Sequence, residues 1–138
     1  MKILLDTSVL LAACGSPHGG SMAVIRQSPM NGWRLLTSPY IWEEVARNLR
    51  RASSLATAAW AAVNPRLADV SDVLAIDHIV VFPTTKDRPV LFTAYAHADV
   101  LLTLDQADFI RPLGSTFYHL QIRTPGQFLQ QTYLDGHR

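Results

Sequence analysis

The residues in this sequence best placed to do chemistry are acids next to the ends of apolar segments. Asp6 directly follows a run of three apolar residues, Asp87 precedes an expected helix, and Asp105 comes shortly after a second apolar run. Converging carboxylates repel one another, so a cluster of them is tolerated mainly where it binds a cation. Because oxygen ligands without His or Cys suit Mg²⁺ or Mn²⁺, these acids indicate a site for one of those ions if the fold brings them together.

Glu44 is a further candidate because of its place on a predicted helix. This helix is expected to begin at residues 38–39, and its apolar stripe recurs every four residues from Ile41. At about 100° per residue, Glu44 flanks the stripe at about −60°, whereas Glu43 points away at about 200°. Only Glu44 is therefore expected to face a cleft beside the core.

Each acid also has a simpler explanation. Asp6 and Asp87 stand where helix N-caps are expected. Asp105 and Asp108 are common turn residues, and Glu44 suits a solvated helix face. In a parallel sheet, the carboxyl ends of the strands and the N-termini of the helices lie at the same edge, so Asp6, Asp87 and Asp105 are expected together there. This shared position favours a metal site over the simpler explanations.

Alternating strands and helices must hold these acids in place. The strand candidates are residues 3–5, 33–37, 78–82, 100–103 and 116–120. The helix candidates are residues 9–13 with Thr7 and Ser8 as a cap, then 21–26, 39–51, 55–63, 67–75, 88–95 and 124–134. The unbroken apolar run of the first strand indicates burial on both faces, and the alternation requires a parallel sheet. We expect a single α/β domain over residues 1–138.

Composition excludes several classes of protein. The chain has 138 residues, with 12 Lys plus Arg against 11 Asp plus Glu, and its net charge of +1 is too small to coat nucleic acid by charge alone. The lone Cys14 excludes a disulfide framework and cysteine-based zinc sites, and fits a reducing compartment. Asp6 interrupts the N-terminal apolar run, so a secretory signal is disfavoured and a cytoplasmic protein without a membrane span is expected.

The ordered acidic segments resemble the four motifs of the PIN domain family. The matching segments are Leu-Leu-Asp-Thr-Ser at 4–8, Ser-x5-Glu-Val at 38–45, Lys-Asp-x-Pro-Val-Leu at 86–91 and Leu-Leu-Thr-Leu-Asp-x2-Asp-Phe at 101–109. One departure is that the stretch from Asp87 to Asp99 is slightly shorter than the commonest pattern. The resemblance implies a three-layer α/β/α sandwich with a central parallel five-stranded sheet in the order 3-2-1-4-5, where Asp6 and Asp105 flank the crevice between strands 1 and 4.

The same resemblance implies a site and an activity. It assigns catalytic roles to Asp6, Glu44, Asp87 and Asp105, metal ligation to Asp6, Asp87 and Asp105, and supporting roles to Ser8, Thr103, Asp99 and Asp108. The implied enzyme is an endoribonuclease that hydrolyses RNA phosphodiester bonds with Mg²⁺ or Mn²⁺. One or two such ions would hold the scissile phosphate and activate the attacking water.

Three arginines are expected near the substrate. Arg47, Arg50 and Arg51 lie on the outer part of the helix that carries Glu44, where their guanidinium groups suit the flanking phosphates of RNA. An ordinary solvated helix face explains them equally well. RNA is the substrate class that the resemblance implies.

Partner proteins are implied as well. Many bacterial members of the family, the VapC type, are toxins silenced by an antitoxin, so an antitoxin protein is an implied partner. Trp42, Leu55 and Trp60 form either an exposed patch suited to a homodimer or an antitoxin helix, or part of the core.

Two other classes of protein compete with this assignment. A receiver-type phosphoacceptor domain also gathers acids at a sheet edge, but it needs adjacent acids after its first strand, whereas Thr7 and Ser8 follow Asp6. A non-catalytic PIN-like module that binds nucleic acid or protein is disfavoured by the four acids. Tight Mn²⁺ binding would separate an enzyme from such a module.

Overall fold

The computed structural model describes residues 1–73, 88–105, 116–117 and 119–136. Its strands are β1 (Lys2–Leu5), β2 (Arg34–Thr37), β3 (Ala68–Asp69), β4 (Val100–Leu102), β5 (Thr116–Phe117) and β6 (Leu120–Arg123). Its helices in these ranges are α1 (Thr7–Gly15), α2 (Gly20–Asn31), α3 (Pro39–Leu49), α4 (Ser54–Val63), α5 (Arg88–His97) and α6 (Pro125–Gly136), with a 3₁₀ turn at Asn64–Arg66. The predicted strand at 78–82 lies outside the described residues.

β1 is an inner strand of the sheet, as its unbroken apolar run predicts. Ile3, Leu4 and Leu5 are fully buried. β1 pairs in parallel with β2, where Ile3 is opposite Leu35, and with β4, where Leu5 is opposite Leu102. Because β1 has a neighbour on each side and lies within the core, its side chains need not alternate between apolar and polar.

The strands are ordered β3-β2-β1-β4-β6-β5. The first five of these are parallel, and β5 runs antiparallel to β6 at the edge. Helix α5 packs on β1 and β4, α2 packs on β2 and α6, and α3 packs on α5. The predicted α/β fold and the order 3-2-1-4-5 are therefore confirmed, with β6 in the fifth place, and the strand order reverses between β1 and β4.

The predicted helix at 67–75 is wrong where the structure describes it. Ala68–Asp69 pairs with the edge of β2 as β3, and Val70 N continues this pairing by donating to Thr37 O at 2.8 Å. Pro65 lies in the 3₁₀ turn that ends the preceding helical segment, so the chain leaves that turn extended rather than helical.

The predicted strand at 116–120 is in fact two strands. Phe117 of β5 lies opposite Leu120 of β6 in an antiparallel pair, and β6 then continues to Arg123. Within β6, buried Leu120 and Ile122 alternate with half-buried residues. This alternation is typical of a strand with one face on the core. The predicted strand ended at residue 120, where β6 in fact begins.

Helices α3 and α4 bring two tryptophans together. The Trp42 and Trp60 ring centroids are 4.9 Å apart, with the ring planes tilted by 60°. Trp60 is only 8% exposed and belongs to the core, whereas Trp42 is 40% exposed and Leu55 is 80% exposed. The apolar surface in this region therefore consists of Trp42 and Leu55 without Trp60.

Helix α2 extends further than residues 21–26 because a side chain compensates for its proline. Pro29 has no N–H for the carbonyl of Ile25, and the Ser28 hydroxyl donates to that carbonyl at 2.8 Å instead. The helix ends at Gly32, whose φ of 67° is left-handed. Within the described residues, no single helix is long and apolar enough to cross a membrane, and α1 and α2 meet that criterion only as a pair bent by 98°.

Candidate active site

Asp6 connects the central strand to the first helix. Its N–H donates to Leu102 O at 3.0 Å, which continues the pairing of β1 with β4. Its carbonyl accepts from Val9 N at 3.0 Å and Leu10 N at 3.2 Å, which starts α1. The predicted cap by Thr7 and Ser8 is wrong, because Asp6 itself is the N-cap.

Three donors hold the Asp6 carboxylate in one orientation. Oδ1 accepts from Thr7 N at 2.8 Å, and Oδ2 accepts from the hydroxyls of Thr103 at 2.8 Å and Ser8 at 3.1 Å. A carboxylate has roughly four acceptor positions, so one position on Oδ1 is left for a further partner. The capping interpretation of Asp6 is therefore correct but incomplete, since capping involves only one of the two oxygens.

The same two hydroxyls fasten the chain that follows β4 to Asp6. Thr103 Oγ1 accepts from Asp105 N at 3.0 Å, and Ser8 Oγ accepts from Leu104 N at 3.1 Å. Thr103 is fully buried, and its own N–H donates to Arg123 O at 3.0 Å. The structure thus brings Asp6 and Asp105 together through Thr103, as expected for residues flanking the crevice between β1 and β4.

The environment of Asp6 disfavours its charge. Asp6 is 7% exposed, and this burial raises its pKa above the ordinary value of 3.8. The negative charge of Asp105 raises this pKa further, whereas the hydrogen bonds from Thr103, Thr7 and Ser8 lower it. Burial outweighs the hydrogen bonds, so a cation beside Asp6 and Asp105 would relieve an electrostatic cost that the fold already carries.

Glu44 reaches the same edge from α3. Its Oε1 accepts from the Thr7 hydroxyl at 3.0 Å, while Glu43 is exposed. The helical phase that separates Glu44 from Glu43 is therefore confirmed. From the sequence, Thr7 was predicted only as part of a helix cap, and its bond to Glu44 was not predicted. The available signal was the position of Thr7 directly after Asp6, at the carboxyl end of β1.

Glu44 also borders an open cavity on α3. The cavity has a volume of about 290 Å³ and is lined by Glu44, Arg47, Asn48 and Arg51. These positions are spaced by three and four residues, so they share one side of the chain, and Arg47 and Arg51 lie beside the acid. Arg50 is exposed and is not among the lining residues.

Of the remaining predicted site residues, the structure describes only Asp99. Asp99 lies before β4, at the opposite edge of the sheet, where its Oδ2 accepts from Lys2 N at 2.8 Å. Asp99 is therefore not brought together with Asp6 and Asp105, because residues at the start and end of one strand lie at opposite edges of the sheet. Asp87 and Asp108 lie outside the described residues. In the described ranges, no three His, Cys, Asp or Glu side chains are grouped closely enough to hold a metal ion.

Comparison with known protein families identifies the family of this chain. The family model described as the PIN domain matches residues 2–107. The chain belongs to the PIN domain family. PIN domains are generally nucleases.

One similar solved structure shows the PIN fold over almost the whole chain. It is the crystal structure of VapBC2 from Rickettsia felis bound to a DNA fragment from their promoter. Its TM-score is 0.64, its sequence identity is 12%, and the match covers 90% of this chain and 98% of that one. No curated protein matches the chain.

The described part of this PIN-domain site fits a hard divalent cation. Mg²⁺ is commonly held by one or two carboxylates together with water and substrate phosphates, and it prefers oxygen ligands. Asp6 offers one acceptor position, Asp105 is exposed, and Glu44 lies beside Thr7. The donor chemistry therefore suits Mg²⁺ or Mn²⁺ rather than a metal that needs thiolate or imidazole.

Proposed function

We propose that this chain is a metal-dependent endoribonuclease that hydrolyses RNA phosphodiester bonds. The observation that carries the proposal is the buried Asp6 carboxylate, joined through Thr103 to Asp105 at the point where the strand order reverses. Ligands of α/β proteins bind in the crevice at such a reversal. A carboxylate that only capped α1 would not require a buried threonine 97 residues away as a second donor.

Asp6 and Asp105 are the described residues that would hold the ion, together with Asp87, which the motif pattern assigns to the same set. Mg²⁺ or Mn²⁺ in such a site supplies positive charge that activates water and offsets the charge developing on phosphate oxygens. The donor set supports either ion, because both take carboxylate oxygens.

The protein's own side chains orient the site. Thr103 and Ser8 fix the Asp6 carboxylate from one side, and Thr7 N fixes it from the other, so its remaining acceptor position has a set direction. The Thr7 hydroxyl holds Glu44 toward the same edge. Such outer hydrogen bonds keep acidic ligands in the productive rotamer and remove the cost of ordering them when substrate binds.

Arginines extend the site along α3. Arg47 and Arg51 line the cavity beside Glu44, and guanidinium groups bind phosphate oxygens through two parallel hydrogen bonds. We assign these two side chains to the phosphates that flank the scissile bond. Arg50, outside the cavity, is assigned a weaker, purely electrostatic contribution.

We further propose that the chain is the toxin of a toxin–antitoxin pair. Support comes from the similar fold of VapBC2 from Rickettsia felis, whose crystal structure contains a DNA fragment from their promoter. The proposed partners of this chain are RNA, an antitoxin protein and a second copy of the chain. The exposed Trp42 and Leu55 offer apolar surface for one of the two protein partners.

The test is cleavage of single-stranded RNA by the purified protein with Mg²⁺ or Mn²⁺. We expect cleavage products that disappear when excess chelator removes the metal and return when the metal is restored. Undiminished cleavage in chelator would contradict the metal requirement. A protein that neither cleaves RNA nor binds Mn²⁺ in a calorimetric titration would instead be a non-catalytic binding module.

A further inference from the structure

A second cavity lies next to the candidate active site, between the N-termini of two helices. It has a volume of about 350 Å³, and its wall includes Ser16, Gly19, Gly20, Ser21, Thr124 and Gly126. None of the described residues that line it carries a charge. Any preference of this cavity for a charged ligand must therefore come from backbone groups and hydroxyls.

The two helix N-termini are electrostatically alike. Helices α2 and α6 each have 12 residues and no acid in the first turn. A Cβ built on Gly20 would lie only 3.8 Å from Gly126 N, so the two ends are in close approach. Each end carries a partial positive charge of about half an elementary charge, and two such ends repel unless an anion lies between them.

The two helix ends differ in their free N–H groups. In α6, Thr124 Oγ1 accepts from Gln127 N and Gln127 Oε1 accepts from Thr124 N, each at 3.2 Å, which is a capping box. In α2, the cap residue Gly19 provides no side-chain hydrogen bond. The first N–H groups of α2 are thus available to a ligand, with Gly126 N of α6 nearby.

Ser21 gives an independent indication of a ligand. Its side chain is 94% buried, since only 6% is exposed, and it lines the cavity. Among the described residues, its hydroxyl has no hydrogen-bond partner. This hydroxyl is not among the fully enclosed polar atoms without a partner, so it is accessible from the cavity and free to donate to an anion there.

The cavity is connected to the candidate active site by a short chain of contacts. Leu104 lines the cavity, and its N–H donates to the Ser8 hydroxyl, which in turn donates to Asp6 Oδ2. A phosphate in the cavity would therefore lie beside the carboxylate cluster without touching it. This placement suits an RNA phosphate that lies some distance along the RNA chain from the scissile phosphate.

We propose that this cavity, named here the Ser21 cavity, binds a phosphate group through the N-terminal N–H groups of α2, Gly126 N and the Ser21 hydroxyl. Helix N-termini are ready-made anion sites, and here two of them meet around an unpaired hydroxyl. The assignment of this phosphate to an RNA backbone rests on the proposed function. Phosphate binding itself does not.

The first test is a titration of the metal-free protein with inorganic phosphate, followed by amide chemical shifts. We expect saturable shifts at Gly20, Ser21 and Gly126. The Gly19→Asp variant should lower the affinity at least tenfold while raising the melting temperature, because its carboxylate caps α2 and occupies the same N–H groups. Gly19 has φ −81° and ψ 172°, which any residue adopts. A Cβ there would lie 3.2 Å from Ser16 Oγ, at the end of an exposed side chain that must shift slightly to accept it.

The matched control is Gln131→Glu, which makes the same change in net charge at an exposed position of α6 away from its N-terminus. It should leave the phosphate affinity within twofold. Should Gly19→Asp fail to fold, Ser21→Ala removes only the hydroxyl and should lower the affinity severalfold. Unshifted amides in the parent, or variants at Gly19 and Ser21 that bind as tightly as the parent, would overturn the proposal.

The second titration distinguishes the source of the phosphate. A short single-stranded RNA without metal should shift the same three amides and compete with inorganic phosphate, which would assign the cavity to the RNA backbone. Shifts with inorganic phosphate alone would confirm the anion site and exclude the RNA backbone as its occupant. Neither titration needs cleavage, so a protein without nuclease activity would refute the proposed function and leave this test valid.

Discussion

Thr103 and Thr37 are buried threonines at the carboxyl ends of β4 and β2, the two strands that flank β1, but they differ in their hydrogen bonds. Thr103 follows β4, is fully buried, and its hydroxyl donates to Asp6 and accepts from Asp105 N. Thr37 ends β2, is 1% exposed, and its hydroxyl has no partner among the described residues. By strand register Thr103 is aligned with Asp6 and Thr37 with Leu5, one residue earlier, so only Thr103 lies on the sheet face of the Asp6 carboxylate.

This difference shows where the fold concentrates its polar interactions. Between β1 and β4, the buried Asp6 carboxylate accepts from the Thr103 and Ser8 hydroxyls, and these hydrogen bonds hold the carboxylate in one orientation. On the β2 side, the Thr37 hydroxyl has no acceptor in the part of the chain that the structure describes, so its burial lowers stability. We expect substitutions on the two sides to have opposite effects, and the following changes test that contrast.

The largest effect is expected from Asp6→Asn. Asn still caps α1, but it removes the charge that a cation needs, so RNA cleavage should fall on the order of 10³-fold or more. The metal-free variant should be at least as stable as the parent, because it no longer carries a buried charge repelled by Asp105. Cleavage assays, urea unfolding and Mn²⁺ calorimetry measure these three outcomes, and parental cleavage by the variant would remove Asp6 from the catalytic set.

The stability difference should also depend on pH. Because the folded-state pKa of Asp6 is raised above 3.8, its protonated form stabilises the parent fully below that pH, and this contribution is lost as the pH rises through the folded-state pKa. The Asp6→Asn variant has no such titration. Its stability relative to the parent should therefore increase from about pH 4 to pH 7 in metal-free urea unfolding, and a constant or shrinking difference would contradict the assigned pKa direction.

Thr103→Val should be harmful on the β4 side. It leaves Asp105 N without its acceptor and removes one of the three donors to the Asp6 carboxylate, which should cost about 1–3 kcal/mol of unfolding free energy. Activity and metal affinity should fall about 10–100-fold, as for other hydrogen bonds that orient metal ligands. Thr103→Ser keeps the hydroxyl and is the control, so equal losses in the two variants would point to packing instead of hydrogen bonding.

Thr7→Val should give a smaller loss. It removes the hydrogen bond to Glu44 Oε1 but keeps the β-branched shape, so the unfolding free energy should fall by about 1 kcal/mol. Cleavage should slow about tenfold because Glu44 is no longer held at the site. Steady-state cleavage and thermal unfolding measure both effects, and Thr7→Ser should recover most of the activity; full activity in Thr7→Val would show that Glu44 is positioned without Thr7.

Thr37→Val should be the mildest change and of opposite sign. Replacing an unpaired buried hydroxyl by a methyl group should raise the unfolding free energy by about 1 kcal/mol and leave cleavage unchanged. Chemical denaturation of this variant beside Thr103→Val measures the contrast directly. A loss of stability in both variants would mean that the two sides of β1 do not differ as described.

The sequence alone determined the elements whose signals are local. The unbroken apolar run before Asp6 identified an inner strand, and the apolar stripe from Ile41 separated Glu44 from Glu43. These features depend on strand burial and on the 3.6-residue helical period, and both can be recognised from residues that are close together in the sequence. The family motifs added the strand order and placed Asp6 and Asp105 at one crevice.

Only the tertiary structure decided which distant groups meet. The Thr103 bond to Asp6 spans 97 residues and the Thr7 bond to Glu44 spans 37, so both depend on strand register and helix packing rather than on local propensity. Asp99 stands four residues before Thr103, yet β4 separates them and sends them to opposite sheet edges. Gly20 likewise lies close to Gly126, although no local sequence pattern relates the two helix starts. The side chain of a residue determines which contacts it can make, and tertiary packing determines which of those contacts form.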